Sequence, residues 1–190
     1  MEPAGITIDE GEGRHRAMSD DERAAAFAVL ADLHLARAYR LAAVVLGSEL
    51  EAQDAVQDAA VNAWERFDTL RDRSRFDAWF DRILVNGCRD RLRGRARVRV
   101  IDIAQAAEPS APDGSGPLAE RDALRGALTH LPAEQRIAVA LRYYEDLGLA
   151  EIADRTGERL GTVKSRLHYG LESLRAAYDA AGRLPEETSP

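Results

Sequence analysis

Apolar residues recur at three- and four-residue intervals along most of this chain, and strict apolar–polar alternation persists nowhere, so the pattern predicts helices and no strands. The first helix opens at Ser19-Asp20-Asp21-Glu22, a capping box whose serine and glutamate satisfy each other's backbone N–H groups. It runs on through Ala- and Leu-rich sequence to Leu46, with a break expected near His34. Gly47 ends it, and Ser48 with Glu51 forms a second capping box. The next helix carries Leu50, Ala55, Val56, Ala59, Ala60, Ala63, Trp64 and Phe67 on one broad face. A polar loop from Asp68 to Arg73 follows. Ser74 then caps a third long helix bearing Phe76, Trp79, Phe80, Ile83, Leu84 and Leu92.

Beyond residue 102 the periodicity stops. AQAAEPSAPDGSGP holds three prolines and two glycines and no core-forming run, which reads as a flexible linker over 99–117. It separates two all-α domains, 19–98 and 118–180, and leaves their relative placement open. Residues 1–18 are polar and acidic, read as a disordered leader rather than a secretory signal, and 181–190 as a frayed tail.

The second domain holds the sharpest local pattern. Leu149, Ile152 and Ala153 place an apolar stripe on a short helix, and Gly157 follows where a positive φ turns the chain. Thr162 is placed to cap a further helix with Val163, Leu167, Leu171 and Leu174 buried. Lys164, Ser165, Arg166 and His168 lie off that stripe near the helix start. This is a helix-turn-helix, in which the first residues of the second helix meet base edges and phosphates.

Composition narrows the function classes. Hydrophobic residues make up 45% of the chain, enough for packed cores, while the net charge of −7 argues against a general nucleic-acid coating protein. Sequence-specific binding needs only a local patch. One sits at Arg89, Arg91, Arg93, Arg95, Arg97 and Arg99, opposed in that run by Asp90 alone. Positive charge gathered at a helix end suits phosphate, and equally a solvated terminus where cations complement the helix dipole. From Leu70 to Asn86 aromatics interleave with arginines, as in surfaces that stack unpaired bases. Phe76, Trp79, Phe80 and Ile83 also have the spacing of a helix core.

The single Cys88 excludes an intrachain disulfide and fits a reducing cytoplasm, as a small buried side chain. The four histidines show no metal-ligand spacing, and no Gly-rich phosphate loop is present, so neither an enzyme nor a cofactor is expected. No apolar run reaches membrane-spanning length, so no membrane insertion is expected.

Two blocks together resemble the extracytoplasmic-function (ECF) sigma factors, two-domain bacterial transcription initiation subunits. The first is Ala52-Gln53-Asp54-Ala55-Val56-Gln57-Asp58 with Ala63-Trp64 and the Phe76–Asn86 helix, similar to the family's region 2. The second, LPAEQR…LRYYEDLGLAEIADRTG…GTVKSRLH, is similar to its region 4. The resemblance implies that Asp54, Gln57 and Asp58 dock on core RNA polymerase. It implies that the loop from Leu70, with Arg71, Arg73, Ser74 and Arg75, accepts a flipped base of the −10 element. Arg82, Asn86, Arg89, Arg91 and Arg93 would continue that surface along phosphates. Thr162, Lys164, Ser165, Arg166, His168 and Tyr169 would face the −35 element. Promoter DNA and polymerase are the implied partners, and family members commonly have an anti-sigma partner, which no residue here identifies. The chain departs from the family at Tyr169-Gly170, where a basic residue often follows, at Glu158-Arg159 in place of Ile-Pro, and at Ala55 and Ala150. A free-standing helix-turn-helix regulator is the alternative, and it gives no reason for the basic, aromatic region-2 helix.

Overall fold

The computed structural model of the chain describes residues 19–101 and 117–180. The leader, the tail and residues 102–116 of the linker lie outside the described residues. Every regular element among the described residues is helical: α1 (Asp20–Leu46), α2 (Glu49–Glu65), α3 (Phe76–Ile101), α4 (Pro117–His130), α5 (Ala133–Tyr143), α6 (Leu149–Thr156) and α7 (Leu160–Ala180). Two 3-10 turns, Phe67–Thr69 and Arg73–Arg75, lead from α2 into α3.

The first helix starts as its capping box dictates. The Ser19 hydroxyl accepts from the Glu22 N–H at 3.3 Å, and the Glu22 carboxylate accepts from the Ser19 N–H at 2.9 Å. It does not break at His34, whose ring instead lies 5.5 Å from Phe76 inside the helix packing. Gly47 turns the chain at φ 69°, a conformation that costs glycine little. Only half of the second box forms: Ser48 caps Glu51, whose carboxylate pairs with Arg95 instead of turning back.

The buried stripe of α2 is Ala52, Ala55, Val56, Ala59 and Ala63. Leu50 precedes Ala52 by two positions, so it falls on the opposite side of the helix and is 72% exposed, contrary to expectation. Small residues on that stripe let α1, α2 and α3 approach closely as a three-helix unit. At one end Phe27, Phe67, Phe76 and Phe80 interlock, Phe76 stacking on Phe80 at 5.6 Å and meeting Phe27 edge-on at 6.0 Å.

Asp72, not Ser74, caps the turn into α3. Its carboxylate accepts from the Ser74 N–H at 3.0 Å and the Ser74 hydroxyl at 2.6 Å, and these bonds hold its pKa below the ordinary 3.8. A depressed pKa means that the cap is present above the ordinary value and is lost as pH falls through the lower, folded one. The Ser74 amide resonance is therefore expected to hold steady at neutral pH and to move only below 3.8, which an NMR titration reads.

One continuous core joins the two halves. Leu41 and Val45 of α1 and Leu84 and Val85 of α3 belong to the same buried cluster as Ile137 and Leu141 of α5 and Ile152 of α6. Buried charges cross the same boundary. Asp81 is fully inaccessible and accepts from Arg37 at 2.6 Å and Arg155 at 2.8 Å. Arg37 also donates to Glu145 at 2.6 Å, and Arg155 to Asp77 at 2.8 Å. Burial disfavours the Arg37 cation, but Asp81 and Glu145 outweigh that and hold its pKa above the ordinary value. Arg136, also buried, donates to the Val45 and Leu131 carbonyls at 3.2 and 3.1 Å. The arrangement left open by the linker is thus a closed one.

Candidate nucleic-acid interface

Helices α6 and α7 build the helix-turn-helix. Gly157 adopts φ 71° and its N–H donates to the Ala153 carbonyl, ending α6 as the sequence requires. Helix α7 begins three residues earlier than expected, at Leu160 instead of Val163, so Thr162 does not cap it: its own N–H donates to the Arg159 carbonyl at 2.9 Å. Val163 and Leu167 are buried against the domain, while Leu171 stays 38% exposed. Gly170 lies where α7 crosses α5, and a Cβ there would lie 3.0 Å from Val139. Lack of a side chain is what admits that approach.

Lys164, Ser165, His168 and Tyr169 project into solvent from the first turns of α7, with Thr162 and Arg166 half-buried beside them. The Ser165 hydroxyl donates to the Thr162 carbonyl at 3.0 Å, the His168 ring lies 5.3 Å from Tyr169, and His168 Nε2 is 3.6 Å from Glu172. Arg166 is paired within its own half, to Glu134 at 3.1 Å and to Glu158.

In the first half, Asp54, Gln57 and Asp58 share the exposed face of α2. Asp58 pairs with Arg91 of α3, tying an expected polymerase contact to an expected DNA contact. The loop after α2 lines a cavity of about 340 Å³ with Thr69, Arg71, Asp72 and Arg75, closed by Trp79 and Arg82. Arg73 lies 4.6 Å over the Phe67 ring, fixing one wall of this loop. A broader cleft of about 690 Å³ between α2 and α3 joins Arg82, Asn86 and Arg91 to Asn62, Arg66 and Trp79. Asn62 and Arg66 escape a sequence reading centred on motifs. Their signal is a polar pair at i and i+4 at the C-terminal end of the helix bearing Asp54, Gln57 and Asp58. Phe80 is pure core, whereas Trp79 is only partly buried and borders both cavities.

The basic run of α3 is not simply solvated. Arg75, Arg82, Arg89 and Arg93 recur at seven- and four-residue spacing along one stripe that meets the second half. Arg75 binds Asp154 of α6 at 2.6 Å, and the Arg82 guanidinium lies 2.7 Å from where a Gly157 Cβ would stand. Arg89 binds Glu134 at 2.9 Å, Glu158 at 3.2 Å and the Asn86 side chain at 2.5 Å, and Arg93 binds Glu134 at 2.6 Å. Arg95 turns the other way, onto Glu51 and the Leu46 carbonyl. Beneath them Cys88 is buried, and burial pushes its thiol up to about 12, so it stays an unreactive side chain.

No group of three or more His, Cys, Asp or Glu among the described residues is arranged to hold a metal ion, and no described helix is long and apolar enough to cross a membrane. Comparison with known proteins finds a family match in each half of the chain. Residues 30–98 match the family model for sigma-70 region 2, and residues 121–174 match that for sigma-70 region 4. The RNA polymerase sigma factor SigV of Bacillus subtilis is 35% identical over 72% of this chain and 81% of its own length. The ECF RNA polymerase sigma factor SigL of Mycobacterium tuberculosis is 34% identical over 84% of this chain and 92% of its own. Among solved structures, the sigma factor RpoE in complex with the anti-sigma factor NepR from Bartonella quintana is similar with TM-score 0.62 and 27% identity, covering 80% of this chain and 96% of that one. CnrH in complex with the cytosolic domain of CnrY is similar with TM-score 0.58 and 27% identity, over 83% and 95% of the two chains. The chain therefore belongs to the extracytoplasmic-function sigma factors, which direct bacterial RNA polymerase to its promoters.

Proposed function

We propose that this chain docks on core RNA polymerase through Asp54, Gln57 and Asp58 and gives it promoter specificity through two DNA surfaces. The carrying observation is that one chain holds both an exposed helix-turn-helix face and a separate cleft lined by arginine, asparagine and tryptophan. Thr162, Lys164, Ser165, Arg166, His168 and Tyr169 enter the major groove of the −35 duplex, where cationic and hydroxyl donors read base edges and phosphates.

Arg71 and Arg75 line the cavity that receives an unstacked −10 base, with Arg73 and Ser74 in the same loop, while Arg82, Asn86, Arg89, Arg91 and Arg93 track the adjoining backbone. Extruding a base costs a few kcal/mol, and stacking of about 1–3 kcal/mol per base offsets it. The protein makes and breaks no covalent bond; its work is binding energy placed so that the melted state is favoured. It acts in the cytoplasm, where polymerase is, and an anti-sigma partner fits its kinship to chains solved with one.

The test is capture of core polymerase followed by run-off transcription on a genomic promoter library. Selective, polymerase-dependent transcripts are expected, and DNA binding without polymerase dependence would favour the free-standing regulator. Within that assay Arg166→Ala is expected to weaken promoter binding by about 1–3 kcal/mol, and unchanged affinity would remove Arg166 from the interface. Asp58→Lys is expected to reduce polymerase capture, because charge reversal repels an arginine-bearing partner. Its helicity, read by circular dichroism, should stay unchanged, and normal capture would discard the docking face.

A further inference from the structure

Helix α1 leaves a line of small and apolar residues open to solvent. Counting in sevens, Glu22, Val29 and Ala36 share one position on the helix, and Ala26, Leu33 and Arg40 share the position four residues on. Alternating steps of four and three residues are those of the a and d positions of a coiled coil, which fall on one seam. The side of α1 that faces the core is the opposite one, at Ala31 and Ala38. Val29 is 63% and Leu33 69% exposed, and Glu22, Ala36 and Arg40 stand in solvent beside them. A seam with this spacing, turned away from its own core, has the form of a surface made for another helix.

The charges at its ends select the partner and its direction. When a second copy of α1 runs antiparallel about a two-fold axis at the level of Ala31, the seam is its own complement. Val29 then meets Leu33 of the second copy, Ala26 meets Ala36 and Glu22 meets Arg40, each contact made twice by symmetry. A parallel pair would instead set Glu22 on Glu22 and Arg40 on Arg40, like charges at both ends. Shifting the antiparallel pair by one heptad puts Arg40 against Val29 or Glu22 against Leu33, so the register is fixed as well.

The flanks modulate the fit. On one side Arg23 is held by Asp68, and Arg37 by Asp81 and Glu145, of their own chain. On the other side exposed Asp32 meets its own copy near the axis, a like-charge contact that weakens the pair. From Glu22 to Arg40 the seam is about 27 Å long at 1.5 Å per residue. A helix pair of that length buries less than the roughly 1,200 Å² of a permanent interface, so the association is weak and depends on concentration.

We propose that two copies of this chain associate through α1 as an antiparallel helix pair, with Val29 and Leu33 as its apolar centre and Glu22 with Arg40 closing each end. The association does not depend on which residues touch DNA or polymerase.

Sedimentation equilibrium of the full chain, from micromolar to submillimolar concentration, tests it. The average mass should rise from one chain toward two. Val29→Glu with Leu33→Glu changes solvent-facing positions and should hold the chain at one copy throughout, with unchanged helicity by circular dichroism. Glu22→Arg and Arg40→Glu, each alone, should weaken association about tenfold, because like charges then meet at both ends. An equimolar mixture of these two variants should regain it, since each end of the mixed pair again joins opposite charges. Asp32→Asn should tighten the dimer about threefold by removing the like-charge contact at the axis. The charge variants and their mixture read the same contact if the glutamate pair compromises folding.

A single copy at every concentration overturns the proposal. A dimer left intact by folded Val29→Glu with Leu33→Glu also overturns it, by placing the contact elsewhere. A mixture that associates no better than either charge variant overturns the antiparallel register. A full chain that stays single but pairs once residues 1–18 are removed gives the seam to that segment and overturns self-association.

Discussion

Replacing Asp81 with alanine is expected to lower unfolding free energy by about 3–5 kcal/mol, because removing one partner of a buried ion pair leaves its cations uncompensated. Asp81 has no solvent contact, and its two oxygens are divided between Arg37 of α1 and Arg155 of α6. Arg37 would keep Glu145 and Arg155 would keep Asp77, so the loss should fall toward the lower end of that range. Asp81→Asn preserves shape and some hydrogen bonding and should cost less, which separates lost charge from lost volume. Urea denaturation followed by far-UV circular dichroism reads both, and a loss under about 1 kcal/mol would be the figure of an exposed pair and would refute a sealed one. The carboxylate joins helices from both halves, so its removal should also loosen their contact.

Asp81 illustrates what the sequence made legible and what it hid. Helix starts and stops written in local chemistry were readable: the Ser19 box and the positive φ of Gly47 and Gly157 depend on residues within a turn of each other. The region 2 and region 4 motifs were readable for the same reason, since each is set by spacing on one or two helices. The closure was not, because Arg37, Asp81 and Arg155 are distant in sequence and each has the ordinary look of a helix-surface charge. The one available hint is that Asp81 sits beside Phe80 in a helix whose Phe76, Phe80 and Leu84 are core, where an acid needs a buried partner.

The arginine run shows the same limit from the other side. Its charge was evident, but which carboxylates face it depends on how two distant segments pack. Local errors had local causes. Thr162 and Ser74 have good capping side chains, yet α7 starts at Leu160 and Asp72 takes the cap before Ser74, since each segment offers more than one place to begin.

Phe76→Ala is expected to cost about 3–5 kcal/mol, the range for emptying a buried aromatic site. The ring is fully buried and stands at the meeting point of five others: Phe27 at 6.0 Å, His34 at 5.5 Å, Phe67 at 6.3 Å, Trp79 at 5.8 Å and Phe80 at 5.6 Å. It is also the first residue of α3, so the loop between Phe67 and Phe76 is suspended from two rings of one cluster. That loop carries Arg71, Arg73, Ser74 and Arg75. Phe76→Leu should keep most of the apolar contact, costing less than about 1.5 kcal/mol, while removing the flat surface that aligns its neighbours. The two variants thus divide stability from function. Phe76→Leu should still fold and still be captured by polymerase through α2, yet melt promoter DNA less well, which permanganate reactivity of the −10 thymines reads. Undiminished melting in a folded Phe76→Leu chain would show that the loop does not depend on this ring for its shape, and would move the base-accepting site to the broader cleft beside Asn62 and Arg66.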